Sequence, residues 1–194
     1  FIIAQWSLAY IDFGDGNYMY IGRRIAEGGV VYRDILAPQP PGHLFLGALI
    51  WKIAWLLRLA EPIFAFRAFS LALRLAGFAL VTRLAWRVWG RPGTALLAGA
   101  IFLWLPIRSW WSLGYQSEPL EIFFLLSMML AALRGTRGGD VTAGIFAALA
   151  GLTNATAAPF LLAMIVFMLW RSPRRAVWMA GPCLALAGAA TLAL

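Results

Sequence analysis

Apolar residues in this chain fall in long uncharged runs separated by short arginine-bearing stretches, not in the one-faced or alternating patterns of a soluble domain. Val141–Trp170 and Ala176–Leu194 are the clearest runs. A straight helix needs roughly 20 apolar residues to cross a bilayer core, so several crossings fit, and the pattern predicts an all-α, polytopic integral membrane protein. Composition points the same way. Of 194 residues, 62% are hydrophobic and 12% charged, about half the ~25% charged share of soluble domains, and mean hydropathy is +0.79.

Three stretches carry the arginines: Arg83/Arg87/Arg91, Arg134/Arg137 and Arg171/Arg174/Arg175, with Asp140 the one acid beside them. The positive-inside rule places all three on the cytoplasmic side. Trp86, Trp89, Trp170 and Trp178 flank two of them, as interfacial residues do. The net charge of +8 is then a topology signal, not a nucleic-acid footprint. Cys183 is the only cysteine, so no internal disulfide can form.

Counting crossings constrains the helices. With residues 12–42 outside, an odd number of crossings leads to residue 83. His43–Ala60 carries Lys52, Arg58, Trp51 and Trp55, the pattern of an interfacial or re-entrant helix, which leaves Pro62–Trp86 as the crossing. Thr94–Trp111 returns outward and Pro119–Leu133 goes back in. Val141–Trp170 must cross an even number of times. It is therefore expected to form two short arms broken near Gly151–Pro159, with Asn154 at the tip, each about 18–22 Å long. Short, Gly/Pro-interrupted arms line cavities. Phe1–Ile11 reads as the end of a first span. The chain opens and closes inside apolar runs, so an amino-proximal fragment of a longer protein is expected: residues 1–11 closing a span, 12–42 an outer loop, 43–60 the surface or re-entrant helix, and 62–194 further spans.

The polar stretch DFGDGNYMYIGRRIAEGGVVYRDILAPQPPG, Asp12–Gly42, holds most of the candidate chemistry. Tyr18, Ile21 and Ile25 share one face of a short amphipathic helix ending at Gly28-Gly29. Pro38, Pro40 and Pro41 then force an extended approach to the next helix. Taken alone, Asp15-Gly16 is a turn signal, and Glu118 and Glu121 are acids in a first helical turn, where the helix dipole favours them. Arg67 and Arg74 lie seven apart on one face of an apolar helix, which calls for a polar partner or cavity. His43 has no second ligand nearby, so no metal site is expected.

An Asp-Gly-x-aromatic start, a surface helix, Gly-x-x-Tyr-Arg-Asp and then Pro-Pro-Gly at this spacing resemble the first outer loop of the GT-C glycosyltransferases. The nearest branch holds the protein O-mannosyltransferases, the lipid A aminoarabinose transferases and related bacterial polyprenyl-phosphate-sugar transferases. Ser117-Glu118-Pro119-Leu120 looks like that family's T-E-P-L step, and GIFAALAGLTN, Gly144–Asn154, like its hairpin tip. The resemblance implies a GT-C-like helical bundle in the bacterial inner (plasma) membrane, with its active site facing the periplasm or exterior. It implies transfer of a sugar from a polyprenyl-phosphate donor to a lipid, glycan or protein acceptor, with no role for nucleic acid. Asp15 matches the catalytic acidic position, as general base for the acceptor hydroxyl or as ligand of a divalent cation, the one cofactor the resemblance admits. Glu118 would be a second acid. Gln39 and Asn154 stand where many relatives carry lysines near the donor phosphate, so Arg24, Arg33, Arg74 and Arg108 become the candidate cations. Two other readings share the pattern: a transporter or flippase of lipid-linked substrates, which broken arms would also serve, and a non-catalytic subunit of the same fold.

Overall fold

The computed structural model describes residues 13–37, 39–104 and 114–192, with side chains over 16–37, 39–104 and 114–190. The expected end of a first span at residues 1–11 lies outside them, as do Pro38, Arg108, Trp110 and Trp111. The described chain is all-helical: α1 Phe13–Ala26, α2 Gly42–Leu56, α3 Ile63–Trp89, α4 Pro92–Trp104, α5 Ser117–Ala132, α6 Arg137–Thr153, a single 3-10 turn at Ala155–Ala157, α7 Ala158–Arg171 and α8 Pro173–Leu192. Among the described residues only α3 is long and apolar enough to cross a membrane by length and composition. Gly42–Leu56, Pro92–Trp104 and Ala155–Arg171 are shorter apolar helices. Several spanning helices were expected; among the described residues one is both long and apolar enough.

Two boundaries differ from the sequence reading for a shared reason. The crossing was expected to end at Trp86, yet α3 runs on through Arg87 to Trp89, with Arg83 also in its last turns, and stops where Gly90 takes a left-handed φ of 66°. That conformation suits glycine and satisfies a terminal carbonyl, since the Gly90 amide donates to Trp86. Arg171 likewise closes α7, and Arg174 and Arg175 sit in the first turns of α8. Long arginine side chains keep their heads in water while the helix goes on, so the charges mark helix ends more than loops.

α3 and α4 form one antiparallel pair, α5 and α6 another, and α8 packs along α6. Small residues set these contacts. A Cβ on Gly99 of α4 would lie 2.1 Å from the Thr82 hydroxyl of α3, and one on Gly144 of α6 would lie 2.0 Å from the Met179 carbonyl oxygen of α8. Ala143, Ala147 and Ala150 of α6 are almost fully buried, and a core cluster of Met128, Ala131, Ala143, Ala147, Met168 and Met179 joins α5 to α8. Large apolar side chains point the other way: Leu97, Phe160, Leu162, Val166, Trp170 and Leu184 are all exposed. Meanwhile Arg67, Arg74, Glu121, Asp140 and Asn154 are buried.

The antiparallel pairing brings the arginine-bearing turns together. Val88, Trp89, Gly135, Arg171 and Arg175 line a common groove at one end of the bundle. The opposite end gathers the starts of α2, α3, α5 and α7 with the end of α6.

Candidate functional site

That opposite end is built from α1 upward. α1 is one-faced: Tyr18, Ile21 and Ile25 pack with Val31, Ile35, Ala37 and Leu44, while Arg23, Arg24 and Glu27 face solvent. At one point its backbone meets that of α2 directly, since a Cβ on Gly22 would stand 2.9 Å from the Gly47 carbonyl carbon. The Trp51 indole of α2 donates to the Met19 carbonyl (2.8 Å) and fixes the register. Asp15 belongs to the first turn of this helix, not to the separate turn its Asp-Gly pair signals. Its side chain lies outside those described.

The segment after α1 folds on itself. Tyr32 adopts φ 67°, its amide donates to the Ile35 carbonyl, and the Asp34 amide donates to the Val30 carbonyl. The Asp34 carboxylate accepts from the Val30 amide (3.0 Å) and from the Arg33 guanidinium (2.9 and 2.8 Å). The Arg33 hydrogen bond and the Val30 amide hold its carboxyl down at about 2. Arg33 is thus answered by its neighbour. The exposed Arg24 shares Glu27 with Arg23, and those hydrogen bonds, that from Arg23 foremost, keep Glu27 below the usual carboxylate range. Of the residues expected at the donor phosphate, these two arginines are paired on the surface. Gln39 is half-buried, its backbone carbonyl accepts from the Tyr32 hydroxyl (2.8 Å), and its side-chain oxygen is buried without a partner.

α2 then enters the bundle against the tip of α6. A Cβ on Gly42 would lie 2.6 Å from the Leu152 carbonyl oxygen. His43 follows, 1% exposed, its ring meeting Tyr18 edge-on at 4.6 Å between centroids. The Tyr115 hydroxyl donates to the His43 carbonyl. Neither His43 ring nitrogen has a hydrogen bond of good geometry. Burial pulls the imidazole down to about 4, with the Thr153 and Pro40 backbones offsetting part of that desolvation. His43 at the mouth of α2 is therefore neutral at ordinary pH.

Beside it, the tip between α6 and α7 is stitched to the start of α5. The Asn154 amide donates to the Ser117 hydroxyl (3.1 Å), and its oxygen accepts from the Thr156 amide (3.1 Å). The Thr156 hydroxyl donates to the Glu121 carboxylate (2.7 Å). Asn154 thus lies at the hairpin tip and is buried there. Its Asn-Ala-Thr sequon has no exposed acceptor. The first turns of α5 divide the two acids. Glu121 is 4% exposed, whereas Glu118 faces solvent and accepts only a long hydrogen bond from Ser117 (3.4 Å). The acid turned into this cluster is Glu121, although Glu118 was the candidate. Ser117, Glu121, Met128 and Ala131 trace the buried face of α5, and that helical spacing was the available signal.

Arg74 lies apart from the cluster, deeper along α3, where it donates to the Leu103 carbonyl (3.3 Å) at the end of α4. One helical turn nearer the start of α3, Ser70 donates to the Gly114 carbonyl (3.0 Å). Arg67, Ser70 and Arg74 thus form a buried polar face on the longest apolar helix. Arg108 lies outside the described residues. Among the described residues no group of three His, Cys, Asp or Glu side chains comes together as a metal site would require.

No protein-family model matches the chain, and no curated protein or solved structure is significantly similar to it.

Proposed function

We propose that this chain is part of a polytopic membrane glycosyltransferase that moves a sugar from a polyprenyl-phosphate carrier to an acceptor hydroxyl at the outer face of the bilayer. The membrane half of the reading is supported by the packing. Large apolar side chains are turned outward while alanine, glycine and buried polar groups fill the contacts. Water would oppose that arrangement, whereas lipid accommodates it, because small residues let membrane helices approach closely.

The observation that carries the transferase half is a convergence. The helix bearing Asp15, the start of α5 with Glu121, and the Asn154 tip meet around His43 at the end of the bundle opposite the arginine turns. A sugar donor whose phosphate stays at the membrane surface would present its anomeric carbon at that level. As the acceptor oxygen bonds to the anomeric carbon, the bond from that carbon to the phosphate oxygen breaks. The acceptor proton passes to a carboxylate within hydrogen-bond reach, the role assigned here to Asp15. Glu121, held by Thr156, is the second carboxylate of the site, and the leaving polyprenyl phosphate takes the bonding electron pair.

The test is transfer from a panel of radiolabelled polyprenyl-phosphate sugars by the full-length protein in membranes, native against Asp15→Asn. Transfer that depends on Asp15 supports both the activity and the base. Transfer indifferent to the substitution removes Asp15 from the chemistry. A folded protein that uses no donor leaves the transporter or non-catalytic subunit as the better reading.

A further inference from the structure

At the arginine end, a groove of about 660 Å³ opens between the α3–α4 pair and helices α5 and α7. That volume lies within the ~300–1,000 Å³ of small-molecule sites. Its walls are apolar, formed by Leu84, Val88, Leu126, Met129, Met164 and Phe167, and Arg171 and Arg175 stand on its lining. The two cations differ. Arg175 is committed, with its guanidinium on the Asp140 carboxylate and the Ala132 carbonyl. Arg171 is exposed, and among the described residues no carboxylate pairs with it.

We propose that this groove binds one acidic glycerophospholipid from the leaflet at the arginine end, with an acyl chain between α3 and α7 and its phosphate on Arg171. The proposal rests on the membrane reading above and is independent of the transferase site, which lies at the other end of the bundle. The lining is too apolar to hold a sugar, and it lacks the acids that would hold a basic peptide. A single uncommitted guanidinium beside an apolar slot matches a lipid with a net negative headgroup. A zwitterionic headgroup would set its own ammonium beside Arg171 with no carboxylate to receive it.

The full chain is reconstituted in vesicles of phosphatidylcholine and phosphatidylglycerol in equal parts, washed in alkaline carbonate, extracted gently, and its retained lipids are counted by native mass spectrometry. Phosphatidylglycerol is expected to be retained in clear excess. Arg171→Ala is expected to lower that excess about tenfold, the loss of one charge-assisted hydrogen bond to the phosphate. Ala98→Trp, which fills the slot from α4 and leaves both arginines in place, is expected to abolish it. Arg134→Ala, at the same end but off the lining, is expected to change nothing. A protein that stays in the bilayer yet holds the two lipids equally overturns the proposal alone, and so does an excess that Arg171→Ala and Arg134→Ala lower equally. A protein that washes off in carbonate overturns the membrane reading and this proposal together.

Discussion

Asp140 and Arg175 form a two-pronged ion pair between α6 and α8: the guanidinium reaches one carboxylate oxygen at 2.7 Å and the other at 2.9 Å. Asp140 is 1% exposed, and Arg175 also donates to the Ala132 carbonyl at the end of α5 (2.7 Å). The pair therefore ties three helices together. It also explains the one acid among the arginine turns. Removing a single partner of a buried pair strands the other charge. Arg175→Ala is expected to destabilise the protein by about 3 kcal/mol, near the lower end of the usual range because the arginine is partly exposed. Asp140→Asn, which keeps the shape and an acceptor, is expected to cost roughly 1–2 kcal/mol. Equilibrium unfolding in mixed detergent micelles reads both, and losses below a few tenths would mean the pair is dispensable.

Gly144 supplies a second test of packing. Its hypothetical methyl group would collide with the Met179 carbonyl, and backbone cannot step aside as a flexible side chain can. Gly144→Ala is expected to push α8 off α6 and cost about 1–3 kcal/mol. Gly188 of α8 has open space around it, and there the same change is expected to stabilise by up to about 1 kcal/mol through helix propensity. Equal effects at the two positions, measured by the same unfolding titration, would argue against the close crossing.

His43 makes stability depend on pH. Its folded-state value, about 4, lies below the ordinary 6.5, so between those values the unfolded chain binds a proton that the folded one refuses. Stability is expected to be full above about pH 6.5, to fall as pH drops towards 4, and to have lost about 3 kcal/mol there. His43→Phe should flatten this part of the profile. A thermal melt series from pH 7 to pH 4.5 in which native and His43→Phe proteins fall in parallel would rule out a neutral buried imidazole.

The two acids of α5 should separate in activity. Glu121→Ala removes the acceptor of the Thr156 hydroxyl along with the buried carboxylate, and transfer is expected to drop about a hundredfold. Glu118→Ala, on the solvent side of the same turn, is expected to leave transfer within roughly twofold, as surface substitutions usually do. Initial rates at saturating donor decide between them, and the reverse order would return Glu118 to the site.

Much of the helix layout was legible because it follows from where polar and small residues interrupt apolar runs. The break at the α6–α7 tip follows from Gly151, Asn154 and Pro159, and the packed face of α1 follows from Tyr18, Ile21 and Ile25. Side-chain commitments were not legible. Arg33 looked like a free cation until Asp34, folded back by the left-handed Tyr32, took it up. Asp140 looked like a stray acid until α8 brought Arg175 to it across 35 residues of sequence. His43 was weighed only as a metal ligand, since nothing local shows that Tyr18 and Tyr115 would enclose it. The choice between Glu118 and Glu121 lay within reach, because Ser117, Met128 and Ala131 at helical spacing mark the face of α5 nearer to Glu121 than to Glu118.

The glycine seam has a mechanical consequence. α1 rests on α2 through Gly22 and Gly47, and α2 abuts the α6 tip through Gly42 and the Leu152 carbonyl. Backbone touches backbone at both junctions, so neither can close further without moving main chain. A load applied to residues 13–26 is therefore passed along a stiff linkage to residue 154, more than a hundred positions away in the chain. A molecule leaning on the surface helix from outside would shift the hairpin tip in the same movement.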